Sequence, residues 1–441
     1  VRKFLLVFLL VFLSQPFADE ISDSNQVFDW AESQYPQYFS PSGQQSADVE
    51  DYYARFYPST DNYLGTKNGR VYVHGDTFGG LLDVGPISDY LSQIPIPTPT
   101  PTATPTPSSS MLMAQASAEQ MAGWSSTGLA KAKAYWESYG STAIAIIEDG
   151  YIIAEWGDTE RPISCYSVRK SLLSALYGNP VNNGQINLNW TLEQIGIDDS
   201  VPPSLTSDEK QASIKHLLMA RSGVYHPAAY ETSTMKAERP ERGSHDPGTY
   251  FYYNNWDFNT AGSIYEQLTG NGIFNAFEQQ IANPIGMQHY SLDNMQYSYE
   301  SDISDHPAYL FKLSTLDRAR FGLLFLNNGQ WDGEQIIPSK WITESTTLYS
   351  VVDSGVGFGY MWWVSDNGWL KGYQFEETPF SARGNNGQYI LIIPERDLVV
   401  VQSMDTSTDD YANNRSFNDL FELIIEAQIL PSDQKERITL H

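Results

Sequence analysis

A serine followed three residues later by a lysine is the smallest unit in this chain that could generate a nucleophile. At i,i+3 spacing on a helix the amine lies one turn from the hydroxyl, on the same face. Burial would push the lysine toward its neutral form, able to take the serine proton. A helix N-terminus would favour the alkoxide that results. The pattern S-x-x-K occurs at Ser167, Ser207, Ser233 and Ser432, so its surroundings must choose among the four. Ser207 sits in LTSDEKQASIKHLL, where Ser207 or Thr206 reads as a helix cap before an acidic first turn. Ser233 lies in a polar stretch without apolar periodicity, and Ser432 follows Pro431 near the C-terminus. Ser167 opens SVRKSLLSALYG, whose Leu172, Leu173, Leu176 and Tyr177 keep helical spacing, so Ser167 and Lys170 are the candidate pair. The competing reading is a capping serine beside a surface lysine.

Other polar residues weigh less. Cys165 precedes Ser167 by two, but no recognisable His/Asn companion makes it a nucleophile, and a small buried residue is expected. Tyr225 and His226 in SGVYHPAAY, with His245 in RGSHDPG, are candidates for the rim of a pocket, although loop histidines are commonly structural. Trp256, Trp362 and Trp363 would either floor an acyl pocket or fill the core. The segments G-x-S-x-G, H-E-x-x-H and G-x-x-x-x-G-K-[ST] do not occur. Histidines and carboxylates lack metal-ligand spacing, so neither metal nor cofactor is expected.

Several elements must hold these residues. AIAIIEDGYIIAEWG reads as two strands joined at Asp149-Gly150, immediately before the Ser167 helix. Farther back, Arg2 and Lys3 precede the apolar run Phe4 to Leu13, which reads as a secretory signal over residues 1–18 with cleavage expected after Ala18. That run is too short to span a bilayer, so stable membrane insertion is not expected. Residues 94–110 form a Pro/Thr linker with polyproline character. It separates a small acidic, aromatic-rich module, residues 19–93, from a large domain, residues 111–441. In the module Phe28, Trp30, Tyr35 and Phe39 suggest one aromatic core, and NGRVYV a hairpin. An aromatic appendage of this kind could also bind a surface or polymer. The 441 residues carry 26 basic and 53 acidic side chains, a net charge of −27, with 41% hydrophobic residues and one cysteine. Such acidity disfavours nucleic acid, and one cysteine excludes an intrachain disulfide. An exported protein, periplasmic or extracellular, is the expectation.

The large domain resembles the serine hydrolases related to class C β-lactamases, including family VIII carboxylesterases and 6-aminohexanoate-dimer hydrolases. The likeness runs from about Ser141 to Val401, through SVRK, IKHLLMARSGVYHP with its turn at Ser222-Gly223, PGTYFYYNNWDFNTAG, LSTLDRARFGLLFLNNGQW and ARGNNGQYILIIPERDLVVV, in family order. It implies an α/β (α+β) sandwich: an antiparallel sheet flanked by helices, plus an all-helical region.

It also implies roles. The family's Tyr-x-Asn element falls on Tyr253 and Asn255, with Tyr252/Asn254 a competing register and Tyr411/Asn413 out of order. Tyr253 would relay the proton as base and then acid, and Asn255 would orient the lysine or bind the acyl part. Where relatives carry Lys-Thr-Gly or His-x-Gly, this chain has Ala382-Arg383-Gly384. Gly384 would let the strand approach the acyl group, and the amides of Ser167 and Asn385 would form an oxyanion hole. Arg383 would either replace the missing cation in the pocket or point outward, the latter preferred. Without Lys and Thr, binding of a β-lactam or D-Ala carboxylate is disfavoured. A carboxylesterase on short-acyl esters is the leading expectation. A 6-aminohexanoate-type amidase is next, then β-lactamase or D-Ala carboxypeptidase action, and a non-catalytic surface-binding protein stands in a different class.

Overall fold

A computed structural model describes residues 113–406 and 414–429, together with five strands in the N-terminal part and Phe28, Ala31 and Phe39. The signal, the linker, Trp30, Tyr35, Tyr411, Asn413 and Ser432 lie outside the described residues. The chain divides into two compact units, Val1–Pro105 and Thr106–His441.

In the first unit β1 (Gln45–Val49), β2 (Tyr52–Tyr57), β3 (Asn62–Lys67), β4 (Arg70–His74) and β5 (Leu82–Pro86) form one sheet in chain order. Lys67 faces Arg70 across the antiparallel β3–β4 pair, the register that the Asn-Gly signal predicts. Phe28, Phe39, Leu64, Val71 and Val73 are buried, so both described members of the expected aromatic core are packed inside.

The second unit is a layered α/β fold around a nine-stranded sheet. Its strands are β6 (Ala114–Gln115), β7 (Ala143–Glu148), β8 (Tyr151–Gly157), β9 (Ser350–Asp353), β10 (Val356–Phe358), β11 (Trp363–Ser365), β12 (Phe380–Gly384), β13 (Gln388–Ile393) and β14 (Leu398–Ser403). The spatial order is β9-β10-β11-β12-β13-β14-β7-β8-β6, antiparallel throughout except for the short β6–β8 pair. Asp149 and Gly150 both take positive φ and turn β7 into β8, as the Asp-Gly pair predicts.

The central strands are apolar on both faces because both faces are covered. Ala145, Ile147, Ile390, Ile392, Val399 and Val401 pack with α2 (Val168–Asn182) and α4 (Thr315–Leu326). Ile144, Ile146, Leu391, Ile393, Leu398 and Val400 pack against α1 (Ser126–Ser138) and α5 (Asn414–Ala427). Strand period two therefore writes two separate cores onto one sheet. Each fully buried Ile, Leu or Phe contributes roughly 1.5–3 kcal/mol.

Between β8 and β9 lies the helical region, which includes α2 and α3 (Asn255–Thr269). It also holds a three-stranded sheet of Met295–Ser298, Ala308–Leu313 and Ile163–Ser164, so it is not wholly helical. This small sheet ties down the chain just before Ser167, where the Cys165 amide donates to Phe311 O at 2.8 Å. Almost every residue of α2 is buried, which is why its lysine cannot reach bulk water.

Candidate active site

Ser167 stands at the N-cap of α2, yet its side chain caps nothing. The preceding Tyr166 has φ +44°, a strained conformation for a bulky residue, and it swings the chain abruptly from strand into helix. Ser167 Oγ instead accepts a hydrogen bond from Lys170 Nζ at 2.7 Å. Lys170 is only 2% exposed, which rules out the capping serine with a surface lysine. Burial, helped by the adjacent Arg169 cation, pushes its ammonium well below the usual lysine range. The amine lies 4.7 Å from the centre of the Tyr253 ring and 4.9 Å from that of Phe258.

Tyr253 is brought to the same place. Burial raises its phenol to about 12, while hydrogen bonding with Ser167 and the Arg169 cation work in the opposite direction. Its ring is held by Phe258 at 5.0 Å, Phe358 at 5.8 Å and a stacked Trp363 at 5.4 Å. Hydroxyl, amine and phenol thus converge beside a cluster of aromatic rings.

The competing Tyr252/Asn254 register is excluded by the bonds those residues make. Tyr252 Oη donates to Met235 O at 2.6 Å, and Asn254 caps α3 by accepting from the Trp256 amide at 3.1 Å. Asn255 begins α3, its Nδ2 donating to Tyr230 O at 2.6 Å, while its buried Oδ1 has no protein partner. Behind it Asp257, whose carboxyl burial pushes well above the usual range, accepts from Ser222 Oγ at 2.5 Å and Asn254 Nδ2 at 3.1 Å. This locks the Ser222-Gly223 turn to the start of α3.

Gly384 meets Ser167 from the sheet. A Cβ there would lie 2.5 Å from Cys165 O and 3.2 Å from Ser167 N, so only glycine allows β12 this close. The following residue, Asn385, is exposed at the start of the turn into β13, where Asn386 and Gly387 take positive φ. Only Trp363 and Val364 of β11 pair with β12, opposite Ser381 and Phe380. Among the described residues the β11-side edge of β12 beyond Ser381 has no strand partner.

Other expected residues lie elsewhere. His226 is 1% exposed, with Nδ1 2.8 Å from Pro227 O and Nε2 3.0 Å from Val201 O, so both ring nitrogens are engaged by backbone and none lines a rim. Tyr225 is buried too, its Oη 3.0 Å from His245 Nδ1. Arg383 does not replace the missing motif cation. Ala382 and Gly384 face α2, and alternation turns Arg383 to the other face of the sheet. Trp256 and Trp362 are fully buried in the core, leaving Trp363 as the tryptophan against the site. Cys165 is buried and its thiol pushed upward by burial, as expected of an inert residue.

Reading the sequence missed Arg169, although it lies inside the S-x-x-K motif. It is 1% exposed, donates from Nη2 to Asn259 Oδ1 at 2.8 Å and stacks on Tyr309 at 4.4 Å. Its position between Ser167 and Lys170 on a helix buried all round is the signal that could have revealed it. Among the described residues no group of three or more His, Cys, Asp or Glu is placed to hold a metal ion, and no helix is long and apolar enough to cross a membrane.

A nine-stranded sheet with helices on both faces and a serine–lysine–tyrosine cluster at its edge defines a β-lactamase-related fold. A model of the family described as Beta-lactamase matches residues 130–420, and the chain belongs to that family. Solved structures share the fold. "Putative 6-aminohexanoate-dimer hydrolase" from Bacillus anthracis is 20% identical, with a TM-score of 0.51 over 67% of this chain and 80% of its own. The octameric penicillin-binding protein homologue from Pyrococcus abyssi is 18% identical, with a TM-score of 0.50 over 68% of this chain and 76% of its own. An uncharacterized protein of Alkalihalophilus pseudofirmus is 27% identical over 114 residues, and the match spans 24% of this chain and 34% of that relative.

Proposed function

We propose that the protein is an exported serine hydrolase, a carboxylesterase acting on short-acyl esters through an acyl-enzyme. The observation that carries this reading is the 2.7 Å contact between the buried Lys170 amine and Ser167 Oγ. A lysine held neutral by burial takes the serine proton as Oγ attacks the ester carbonyl. Tyr253, against both groups, passes that proton to the departing alkoxide. The amides of Ser167 and Asn385 receive the oxyanion, and water then releases the acid by the reverse sequence. Ester preference over β-lactam preference rests on the α2-facing side of β12, which carries Ala382 and Gly384 and offers no cation to a substrate carboxylate. Export is inferred from the N-terminal apolar run.

The test is pre-steady-state hydrolysis of p-nitrophenyl acetate and butyrate with mass mapping of a fluorophosphonate label. A burst of p-nitrophenol equal to the enzyme concentration, a label on Ser167 and the loss of both in Ser167→Ala are expected. Labelling elsewhere, or full activity in Ser167→Ala, sinks the mechanism. Matched amides and β-lactams in the same panel should show kcat/KM at least about a hundredfold below the esters. A faster amide would make the protein an amidase.

A further inference from the structure

Ser381 and Arg383 project from the face of β12 turned away from Ser167, beside Tyr389 of β13. There they line a cavity of about 610 Å³ that holds no part of the serine–lysine–tyrosine cluster. Trp369 and Lys371, from the short hairpin between β11 and β12, form one side, and Phe417 of α5 another. Tyr389 and Phe417 present a stacked pair, centroids 4.0 Å apart and planes within 5°. Such a volume with aromatic walls suits a small organic molecule.

The charge inside it is unusual for this chain. Arg383 donates from Nε to Ser381 Oγ at 2.9 Å, yet no carboxylate among the described residues lies within ion-pair distance of its guanidinium. The cavity holds two cations, Arg383 and Lys371, against one carboxylate, Asp366. In a protein with 53 acidic residues, a largely buried arginine without an acidic neighbour is a fork of donors left for a ligand. Its Cζ also lies 5.2 Å from the centre of the Trp363 ring, the ring that stacks on Tyr253.

We propose that this cavity is a second binding site for a flat, carboxylate-bearing small molecule. The carboxylate meets Arg383, and the apolar body lies against Trp369, Tyr389 and Phe417. Binding does not depend on the function proposed for Ser167.

Calorimetric titration of the full-length Ser167→Ala protein with 2-naphthoate and with neutral 2-naphthamide tests it. Saturable one-to-one binding of naphthoate is expected, weakened at least tenfold for the amide. Arg383→Gln should weaken naphthoate by a similar factor, and Trp369→Ala, on the hairpin, should weaken both ligands. Wild-type protein labelled with fluorophosphonate should bind naphthoate as the unlabelled protein does. Equal affinity for acid and amide, no change in both Arg383→Gln and Trp369→Ala, loss of binding on labelling, or no binding at millimolar concentrations overturns the proposal. Should Arg383→Gln fail to fold, the acid–amide ratio and Trp369→Ala still decide.

Discussion

At the scale of single residues, burial sets the charge states of the site, and one cation that touches no reacting atom adds to it at the lysine and opposes it at the tyrosine. Arg169 sits between Ser167 and Lys170, and its charge disfavours the protonated lysine while favouring the Tyr253 phenolate. Removing that charge moves both groups the same way. In Arg169→Met the lysine holds its proton to higher pH, so the acidic limb of the kcat/KM profile shifts upward. The tyrosine also holds its proton to higher pH, so the alkaline limb follows. On the acidic limb kcat/KM should fall roughly tenfold, equivalent to about 1.4 kcal/mol. Arg169→Lys, which keeps the charge, should leave both limbs near their wild-type positions. A merely structural role would lower activity evenly with no displacement of either limb. Such a residue was not legible in the sequence, because its burial depends on Asn259 and Tyr309, roughly 90 and 140 positions away. The structural alternative for His226 could not be settled in the sequence for the same reason: its Nε2 partner, Val201 O, is 25 residues distant. Ser167 and Lys170 were legible because their relation is local, one turn of one helix.

Among the elements, the approach of β12 to α2 decides, on the proposed mechanism, whether a carbonyl can sit between Ser167 and the strand. Gly384→Ala places a methyl group 2.5 Å from Cys165 O and 3.2 Å from Ser167 N, so the strand must move away from the helix. Overpacking of this kind costs about 1–3 kcal/mol of stability. A displacement of about 1 Å at the reacting groups costs roughly a hundredfold in rate. Gly322→Ala in α4 is the matched comparison, since its Cβ would meet Val399 Cγ1 at 2.6 Å and Ile390 Cγ2 at 3.0 Å. Both variants should melt several degrees early in thermal denaturation, but only Gly384→Ala should lose fluorophosphonate labelling about a hundredfold. Equal labelling rates would mean that β12 does not shape the site. The β7–β8 pair could be read from sequence because Asp149-Gly150 fixes a tight turn locally, while β12 and β13 were legible only through the family resemblance. The face to which Arg383 turns could not be read, because it follows from the register of β12 against β13 and from Gly384 meeting Cys165.

On the scale of the molecule, the second unit closes upon itself. The Ser125 amide donates to Ala427 O at 2.7 Å, the Ile429 amide donates to Gly123 O at 2.8 Å, and Trp124 bridges Gln428. The segment entering α1 and the segment leaving α5 are therefore stitched together, and the Met113 amide adds a bond to Gly150 O at 2.7 Å. Among the described residues both cores of the nine-stranded sheet are built from side chains from Met113 onward. If the stitched ends make this unit self-sufficient, cutting the chain in the Pro/Thr-rich segment should cost it nothing. Limited proteolysis of the full-length protein should yield a persistent fragment whose N-terminus falls between about residues 94 and 113. That fragment should label with fluorophosphonate as fast as the uncut chain, at a fluorescence intensity that stays constant as cleavage proceeds. If labelling instead declines in step with cleavage there, or the first cuts fall between 113 and 406, the second unit is not the self-sufficient body that its stitched ends describe.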